Sequence, residues 1–155
     1  MNPQKENPGT ADAPKILFLC TGNSCRSKMA EGWARHLWGD RLEVRSAGIL
    51  PGIVHPLAIA VMKESGVDIS GQRSKHVDEV RHIPFDLVVT VCDNAKEQCP
   101  VFPGKVRRVH RSFDDPAGAK GTREEVLAAF RKTRDEIRTF IETLSDILKK
   151  ETSHD

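Results

Sequence analysis

Several features are missing from this 155-residue chain, and their absence argues against whole classes of function. No apolar stretch approaches the roughly 20 residues that a helix needs to cross a bilayer, so no membrane span is predicted. The net charge of +2 gives no electrostatic reason to expect nucleic acid or a membrane surface as a partner. The N-terminal segment has no apolar core of the signal-peptide kind. We expect a disordered leader over residues 1–14, a disordered tail over 151–155 and a cytoplasmic location.

The spacing of the cysteines excludes the usual zinc patterns. Cys20 and Cys25 are five apart, Cys92 and Cys99 are seven apart, and no Cys-x-x-Cys occurs. The six histidines show no metal-ligand spacing, and we expect neither a metal nor a cofactor. Structural disulfides are rare in the cytoplasm, where cysteines of this kind are more often catalytic.

The chain does contain a regular alternation of short β-rich runs and helical patterns. Strands are predicted over 15–19, 42–46, 87–91 and 106–109, and helices over 27–38 and from Pro56 to Gly66. An apolar stripe at helical spacing over most of 122–149 predicts a long terminal helix. This alternation is typical of the α/β class. We therefore predict a single domain over 15–150, with a four-stranded parallel sheet flanked by helices.

The segment Cys-Thr-Gly-Asn-Ser-Cys-Arg-Ser at 20–27 joins the first strand to the first helix. Such a loop turns successive N–H groups inward around a tetrahedral anion, and the positive end of the helix adds to the attraction. Arg26 can bind two anion oxygens at once, and Cys20 is the predicted nucleophile. Oxyanion binding is predicted for the seven residues after it, which are Thr21, Gly22, Asn23, Ser24, Cys25, Arg26 and Ser27. Cys25 itself has no required chemistry; it is a structural thiol or, alternatively, a protective partner of oxidised Cys20.

Further chemistry-bearing residues follow the third and fourth strands. Cys92 ends the third strand, and because the carboxyl ends of parallel strands gather the chemistry of such sheets, it is expected near Cys20. If residues 92–99 were helical, the two cysteines at its ends would lie ~10 Å apart, whereas a disulfide needs Cα atoms within roughly 7 Å. Cys92 and Cys99 can therefore pair only if the segment unwinds or is not helical. Asp115, held by Pro116, is the predicted general acid, in preference to Asp114.

These motifs together resemble the thioredoxin-coupled arsenate reductases, which are built on the low-molecular-weight protein tyrosine phosphatase fold. The motifs that carry the resemblance are the loop at 20–27, Met-Ala-Glu-Gly-Trp at 29–33, Ser-Ala-Gly at 46–48, the pair Cys92 and Cys99, and Phe-Asp-Asp-Pro-Ala-Gly at 113–118. The loop alone would indicate only the phosphatase-like fold, and the cysteine pair is what favours the reductase.

The resemblance implies a relay of three thiols. Cys20 would attack arsenate, Cys92 would release arsenite and form a Cys20–Cys92 disulfide, and Cys99 would then form a Cys92–Cys99 disulfide for thioredoxin to reduce. Phosphate and sulfate would compete for the loop, and glutaredoxin with glutathione is the alternative electron donor. A monomer is expected, with no nucleic-acid or membrane partner.

Two other functions remain open at this level. One is hydrolysis of phosphate monoesters, although the chain contains no tyrosine, and phosphatases of this fold usually carry tyrosines after the Asp-Pro. The other is a non-catalytic oxyanion-binding or redox-sensing module. The resemblance also implies a potassium site in some members, whose first three ligands match Asn23, Glu31 and Ser46. The fourth falls at Lys75, so we expect its ammonium to take the place of the cation and activity to depend little on potassium.

Overall fold

A parallel sheet of four strands forms the centre of the computed structural model, which describes residues 13–153. The strands lie in the order β2-β1-β3-β4, and every pair is parallel. Their bounds are β1 Lys15–Cys20, β2 Glu43–Gly48, β3 Leu87–Thr90 and β4 Arg107–His110. The predicted fold class is confirmed. Of the predicted disordered ends, residues 1–12 and 154–155 lie outside the described residues.

Five helices surround this sheet within the described residues. Their bounds are α1 Arg26–Trp38, α2 Pro56–Glu64, α3 Asp93–Glu97, α4 Arg123–Ile141 and α5 Leu144–Ser153. The single terminal helix predicted over 122–149 is wrong in one respect, because the chain turns between α4 and α5. There the N–H and the hydroxyl of Thr143 both donate to the carbonyl of Phe140. Ile141 and Leu144 are fully buried on either side, so the apolar pattern continues through the turn and does not reveal it.

The core explains why β1 and β3 are almost entirely apolar. Residues 16–19 and 87–89 are completely buried, as expected of interior strands covered on both faces. Helices α1 and α4 are joined through two indoles: Trp33 Nε1 donates to the Arg134 carbonyl at 3.1 Å, and Trp38 Nε1 donates to the Ile141 carbonyl at 2.9 Å. The two tryptophans therefore hold α1 against α4.

The strand order fixes where a site can form. The chain passes from β1 to β2 on one side and then to β3 on the other, so a crevice opens at the carboxyl ends of β1 and β3. The loop at 20–27 leaves β1 at this edge, Cys92 follows β3, and the segment 111–118 follows β4. The loop, Cys92 and Asp115 therefore lie at one edge of the sheet, and Cys99 follows the helix that begins there. Within residues 13–153, no helix combines the length and the apolar character that a membrane crossing requires.

Candidate active site

The carbonyl groups of the loop at 20–27 point outward and are bonded by neighbouring segments. The carbonyls of residues 20, 21, 22 and 24 accept hydrogen bonds of 2.8–3.2 Å from the N–H groups of residues 49, 50, 52 and 55, in that order. The Asn23 carbonyl accepts from the Ser74 hydroxyl at 2.5 Å. Since these carbonyls all face away from the centre of the loop, the intervening N–H groups face into it.

Those N–H groups form an anion cradle. Among the described residues, the N–H groups of Gly22, Ser24 and Cys25 have no acceptor, which is costly unless a ligand or water supplies one. They border a cavity of about 240 Å³ that is lined by Cys20, Thr21, Gly22, Ser24, Cys25, Arg26, Asp115 and Ala117. A tetrahedral oxyanion is the ligand that such a ring of donors favours.

The sulfur of Cys20 lies at the base of this cradle with two donors beside it. The Asn23 N–H donates to Sγ at 3.3 Å, and the Ser27 hydroxyl lies 3.0 Å from Sγ. Ser27 Oγ already accepts from Asn23 Nδ2 at 2.8 Å, so its own proton is available to the sulfur. Both contacts stabilise a thiolate, as a nucleophile requires. Asn23 and Ser27, predicted to bind the oxyanion, do not line the cavity and instead support the sulfur.

Asn23 is the residue that fixes the shape of the loop. It is completely buried at a positive φ of 49°, a conformation that asparagine tolerates better than most residues. Its amide nitrogen also donates to Ser46 Oγ at 3.0 Å, and its amide oxygen accepts from the N–H of Lys75 at 2.9 Å. The chain at Gly48 passes so close that a Cβ there would lie 2.7 Å from the Thr21 carbonyl oxygen. The Ser-Ala-Gly motif thus holds the loop from behind.

Arg26 and Asp115 face each other across the opening of the cavity. Arg26 Nη1 donates to the Phe113 carbonyl at 2.9 Å, and Nη2 lies 3.6 Å from Asp115 Oδ2. The other Asp115 oxygen accepts from the N–H of Ala117 at 3.0 Å, which orients the carboxyl group toward the cavity. Asp114, the alternative acid, does not line it. A guanidinium and a carboxyl group thus face the same cavity.

The other cysteine of the loop has a different environment. Burial, with the negative charges of Asp115 and Cys20, raises the pKa of the Cys25 thiol far above its usual value. At neutral pH Cys25 is therefore a thiol and a poor nucleophile, although it lines the cavity. This agrees with its interpretation as a structural thiol.

Cys92 lies beside the loop, as the topology predicts. Its sulfur is 3.3 Å from Thr21 Oγ1, and that oxygen accepts from Asn94 Nδ2 at 3.0 Å. The Thr21 proton is therefore free to donate to the Cys92 sulfur. His110 anchors the next residue of the chain, because its Nε2 donates to Asp93 Oδ1 at 2.8 Å while Nδ1 lies 2.7 Å from Thr90 Oγ1.

Cys99 lies beyond the far end of α3. Residues 93–97 are helical and all four cysteines are free thiols. Seven residues at helical rise separate Cys92 from Cys99 by ~10 Å along the chain direction, more than a disulfide spans. Cys99 is half-buried, and that burial raises the pKa of its thiol despite the nearby Arg108. Unwinding of α3 would remove the helical separation between the two sulfurs.

The potassium site that the resemblance implies does not fit this chain. The expected substitute, Lys75, contributes its backbone N–H to Asn23, and a different lysine lies on the carboxylate. Lys28, 1% exposed, places Nζ 3.4 Å from Glu31 Oε1, which also accepts from the Ser46 hydroxyl at 2.5 Å. The ammonium beside Glu31, where the potassium ion was expected, is therefore that of Lys28 and not that of Lys75.

Sequence reasoning missed the supporting residues Lys28 and Asn94, and it assigned no role to His110 although this residue could approach the site. A lysine three residues before Glu31 on one helix was a usable signal for the first, because such pairs meet on a helix surface. Nothing in the spacing identifies Asn94 or His110, whose partners are 73 and 17 residues away in the chain.

Comparison with known proteins gives results that agree with this geometry. Residues 15–154 match the sequence profile of the family described as low molecular weight phosphotyrosine protein phosphatase. An arsenate reductase from Halalkalibacterium halodurans is 52% identical over 131 residues, which cover 84% of this chain and 94% of that protein.

Comparison with solved structures also finds arsenate reductases. One, an arsenate reductase in the phosphate-binding state, has a TM-score of 0.67 and 34% identity, and the match covers 84% of this chain and 95% of that one. A thioredoxin-dependent arsenate reductase from Corynebacterium glutamicum has a TM-score of 0.58 and 30% identity, with 84% of this chain and 62% of that chain covered.

Proposed function

We propose that this chain, which belongs to the low molecular weight phosphotyrosine protein phosphatase family, is an arsenate reductase that works through a relay of three thiols and a thioredoxin-type reductant. The observation that carries the relay is the position of Cys92. Its sulfur lies 3.3 Å from the hydroxyl of Thr21, the residue directly after Cys20. A thiol next to the residue that follows Cys20, and a third thiol just beyond the five-residue helix α3, support the relay.

The first step takes place in the cradle. Arsenate occupies the ring of N–H groups, with Arg26 on two of its oxygens. The Cys20 thiolate attacks arsenic and forms a sulfur–arsenic bond, and one oxygen leaves as water with a proton from Asp115. Arsenic is still pentavalent in this adduct.

The second step transfers the electrons. The Cys92 thiolate attacks the Cys20 sulfur, the sulfur–arsenic bond breaks, and its electron pair remains on arsenic, which leaves as arsenite. The products are trivalent arsenic and a Cys20–Cys92 disulfide, so two electrons have passed from two thiols to arsenic. The Thr21 hydroxyl supports the attacking Cys92 thiolate.

The third step regenerates the nucleophile. Cys99 attacks Cys92, which releases the Cys20 thiolate and leaves a Cys92–Cys99 disulfide. Because α3 separates these cysteines by ~10 Å, it must unwind, and unwinding presents the new disulfide at the surface. The dithiol of thioredoxin then reduces it by the same exchange chemistry, with glutaredoxin and glutathione as the alternative donor. The thiols must begin reduced, which fits a cytoplasmic location.

A coupled assay tests the relay. NADPH oxidation is followed with arsenate, thioredoxin and thioredoxin reductase for the wild type and for Cys20→Ser, Cys92→Ser and Cys99→Ser, with Cys25→Ser as the matched control. The three relay variants should lose steady-state turnover, whereas the control should retain it. Normal turnover of Cys92→Ser and Cys99→Ser would exclude the relay. Replacing thioredoxin by glutaredoxin and glutathione identifies the preferred donor.

Hydrolysis of phosphate monoesters is the second candidate function. The cradle, Arg26 and Asp115 would serve phosphate as well as arsenate, since the two anions share shape and charge. Thiols do not reduce phosphorus(V) in the same way, so Cys92 has no task in hydrolysis. We therefore expect weak phosphatase activity that survives Cys92→Ser. Rapid hydrolysis of aryl phosphates, without arsenate-dependent NADPH oxidation, would instead favour the phosphatase.

A further inference from the structure

A second polar cavity lies behind the loop at 20–27 and has no part in the reaction described above. This rear cavity has a volume of about 260 Å³ and is lined by Lys28, Glu31, Arg45, Gln72, Arg73, Lys75, Glu79 and Val80. It shares no lining residue with the cavity at Cys20. With about 30 Å³ per water molecule, its volume is enough for a tetrahedral ion together with several waters.

The charged groups of the rear cavity are predominantly positive. Four cationic and two anionic side chains line it. Both carboxylates are already paired: Glu79 with Arg73 at 2.6 Å, and Glu31 with Lys28 at 3.4 Å and with Arg35 at 2.9 Å. Arg45 is paired with Glu43 at 3.3 Å, so the positive charge in excess of these pairs lies on Lys75.

Lys75 and Arg45 have unused donors here. The ammonium of Lys75 makes no hydrogen bond and no direct ion pair among the described residues, although the Glu31 and Glu79 carboxylates are near enough to attract it; burial together with the charge of Lys28 lowers its pKa. Arg45 Nε is buried without a hydrogen-bond partner, although the Nη2 of the same guanidinium lies 3.3 Å from Glu43. Buried donors of this kind are unfavourable unless an acceptor is bound.

Gln72 supplies another unpartnered group. Its Oε1 is buried and accepts no hydrogen bond. Because rotation of this amide by 180° would break no bond to Oε1, the NH₂ group can turn inward and donate. Lys28 adds a deeply buried ammonium whose one described partner is Glu31. The donors of Lys28, Arg45, Gln72 and Lys75 thus border one space that contains no uncommitted carboxylate.

We propose that the rear cavity is a second binding site for a small inorganic oxyanion of the phosphate or sulfate class, separate from the cradle at Cys20. The ligand accepts hydrogen bonds from Lys75, Arg45 Nε and the turned amide of Gln72. The site adjoins the support of the loop, because the N–H of Lys75 holds Asn23 Oδ1 and Glu31 holds Ser46. Bound anion therefore balances the positive charge next to the residues that shape the cradle.

Residue-resolved titration tests this proposal without any redox chemistry, so its outcome is independent of the arsenate reductase reaction. Sulfate is added to the ¹⁵N-labelled Arg26→Ala variant, in which the cradle is weakened, and amide and Arg Nε–H signals are followed by NMR. The Gln72 side-chain and Arg45 Nε–H signals should shift along one saturable curve, while the Gly22 and Ser24 amides follow a different and weaker one. Phosphate should reproduce the rear-cavity curve, and chloride at equal ionic strength should not.

Substitutions then locate the site. Lys75→Gln should weaken the sulfate affinity read at Gln72 by about tenfold, the effect of losing one charged hydrogen bond, and should leave the cradle curve unchanged. Arg45→Gln provides a second variant, and Lys63→Gln, an exposed cation on α2, is the matched control that should change neither curve. Circular dichroism confirms that each variant is folded. Signals at Gln72 and Arg45 that do not move, move linearly, respond equally to chloride or follow the cradle curve would overturn the proposal.

Discussion

The sulfurs of Cys20 and Cys92 have the same kind of neighbour but very different support. Each lies about 3 Å from a hydroxyl whose oxygen accepts from an asparagine amide: Ser27 and Asn23 in the first case, Thr21 and Asn94 in the second. Asn23 is completely buried and bonded on three sides, whereas Asn94 stands on a five-residue helix and is partly exposed.

This difference corresponds to the different roles of the two thiols in the proposed relay. The loop around Cys20 must hold its donors in one arrangement before an anion arrives, because preorganised donors stabilise developing charge most effectively. In the proposed relay the segment from Cys92 to Cys99 changes shape, because a disulfide cannot span the helical arrangement. The same two interactions, hydroxyl to sulfur and amide to hydroxyl, are therefore part of a rigid loop at Cys20. At Cys92 they belong to a segment that we expect to open. The following changes test that contrast, from the largest expected effect to the smallest.

Asp115→Asn should cause the largest loss because it affects the chemistry of the cradle directly. The asparagine can still accept from the N–H of Ala117, so the turn is retained while the acidic proton is removed. We expect the first chemical step to slow by about 10²–10³-fold in both arsenate reduction and phosphate ester hydrolysis. Single-turnover kinetics measures the rate of this step. Asp114→Asn, at an exposed position, is the matched control and should slow the step by less than about twofold.

The leaving group distinguishes acid catalysis from a loss of shape. Hydrolysis of phenyl phosphate, whose leaving group needs a proton, should suffer more from Asp115→Asn than hydrolysis of 4-nitrophenyl phosphate. Equal losses for the two esters would contradict the role of Asp115 as the acid.

Asn23→Ala and Asn94→Ala compare the two supports directly. Asn23→Ala removes bonds to Ser27, Ser46 and the N–H of Lys75 and places alanine at a positive φ. It should lower kcat/KM about 10²-fold for both reactions. Asn94→Ala removes the bond to Thr21 and the bond accepted from Gln98 Nε2, and it should slow arsenate turnover about threefold, with no effect on hydrolysis. A large loss of hydrolysis in Asn94→Ala would mean that the two regions are not independent.

How much of this contrast can be read from sequence depends on the range of the interactions. The strands, the loop, Cys20, Arg26 and the pair of distal cysteines follow from local patterns, and the parallel sheet then brings their ends to one edge. The hydrogen bonds that support the two sulfurs could not be inferred in the same way. Thr21 with Asn94, Asn23 with Lys75 and Asp93 with His110 meet only after the chain has folded.

Two errors show the limits of local patterns in physical terms. The terminal helix was expected to be continuous because Ile141 and Leu144 keep the apolar spacing on both sides of the turn. The cation beside Glu31 was assigned to Lys75 by its place in a motif. Lys28, one turn before Glu31 on α1, reaches the carboxylate over a much shorter path along the chain.

His110→Ala tests whether the relay segment is held by a releasable contact. The substitution removes the bond to Asp93 at the first turn of α3 and the contact with Thr90. Amide hydrogen exchange in residues 93–98 should accelerate about tenfold, the effect of one hydrogen bond to a charged group, while residues 20–27 exchange as in the wild type. His82→Ala, at an exposed position, serves as the control. Unchanged exchange in α3 would show that His110 does not restrain it.

Cys25→Ala should have less effect than any change above, although Cys25 lines the catalytic cavity. Its pKa is raised by burial and by the negative charge of Asp115, so at neutral pH it offers neither a thiolate nor a strong donor. We expect kcat/KM for arsenate to stay within about twofold of the wild type. Peroxide treatment before the assay tests the alternative role. If Cys25 protects oxidised Cys20, activity of the wild type but not of Cys25→Ala will return on adding thioredoxin.

Replacing sodium by potassium should have the smallest effect of all, because the cationic support of the loop is built into the chain. Burial alone would raise the pKa of Glu31, but Lys28, the Ser46 hydroxyl and Arg35 together hold it below its usual value, so the carboxylate is ionised and already paired. An added potassium ion would have to displace the buried Lys28 ammonium, 1% exposed, and enter a region with surplus positive charge. At matched ionic strength we expect steady-state arsenate turnover to change by less than about 1.5-fold. Activation of several-fold would mean that the loop at 20–27 is incomplete without an external cation and is less rigid than its hydrogen bonds indicate.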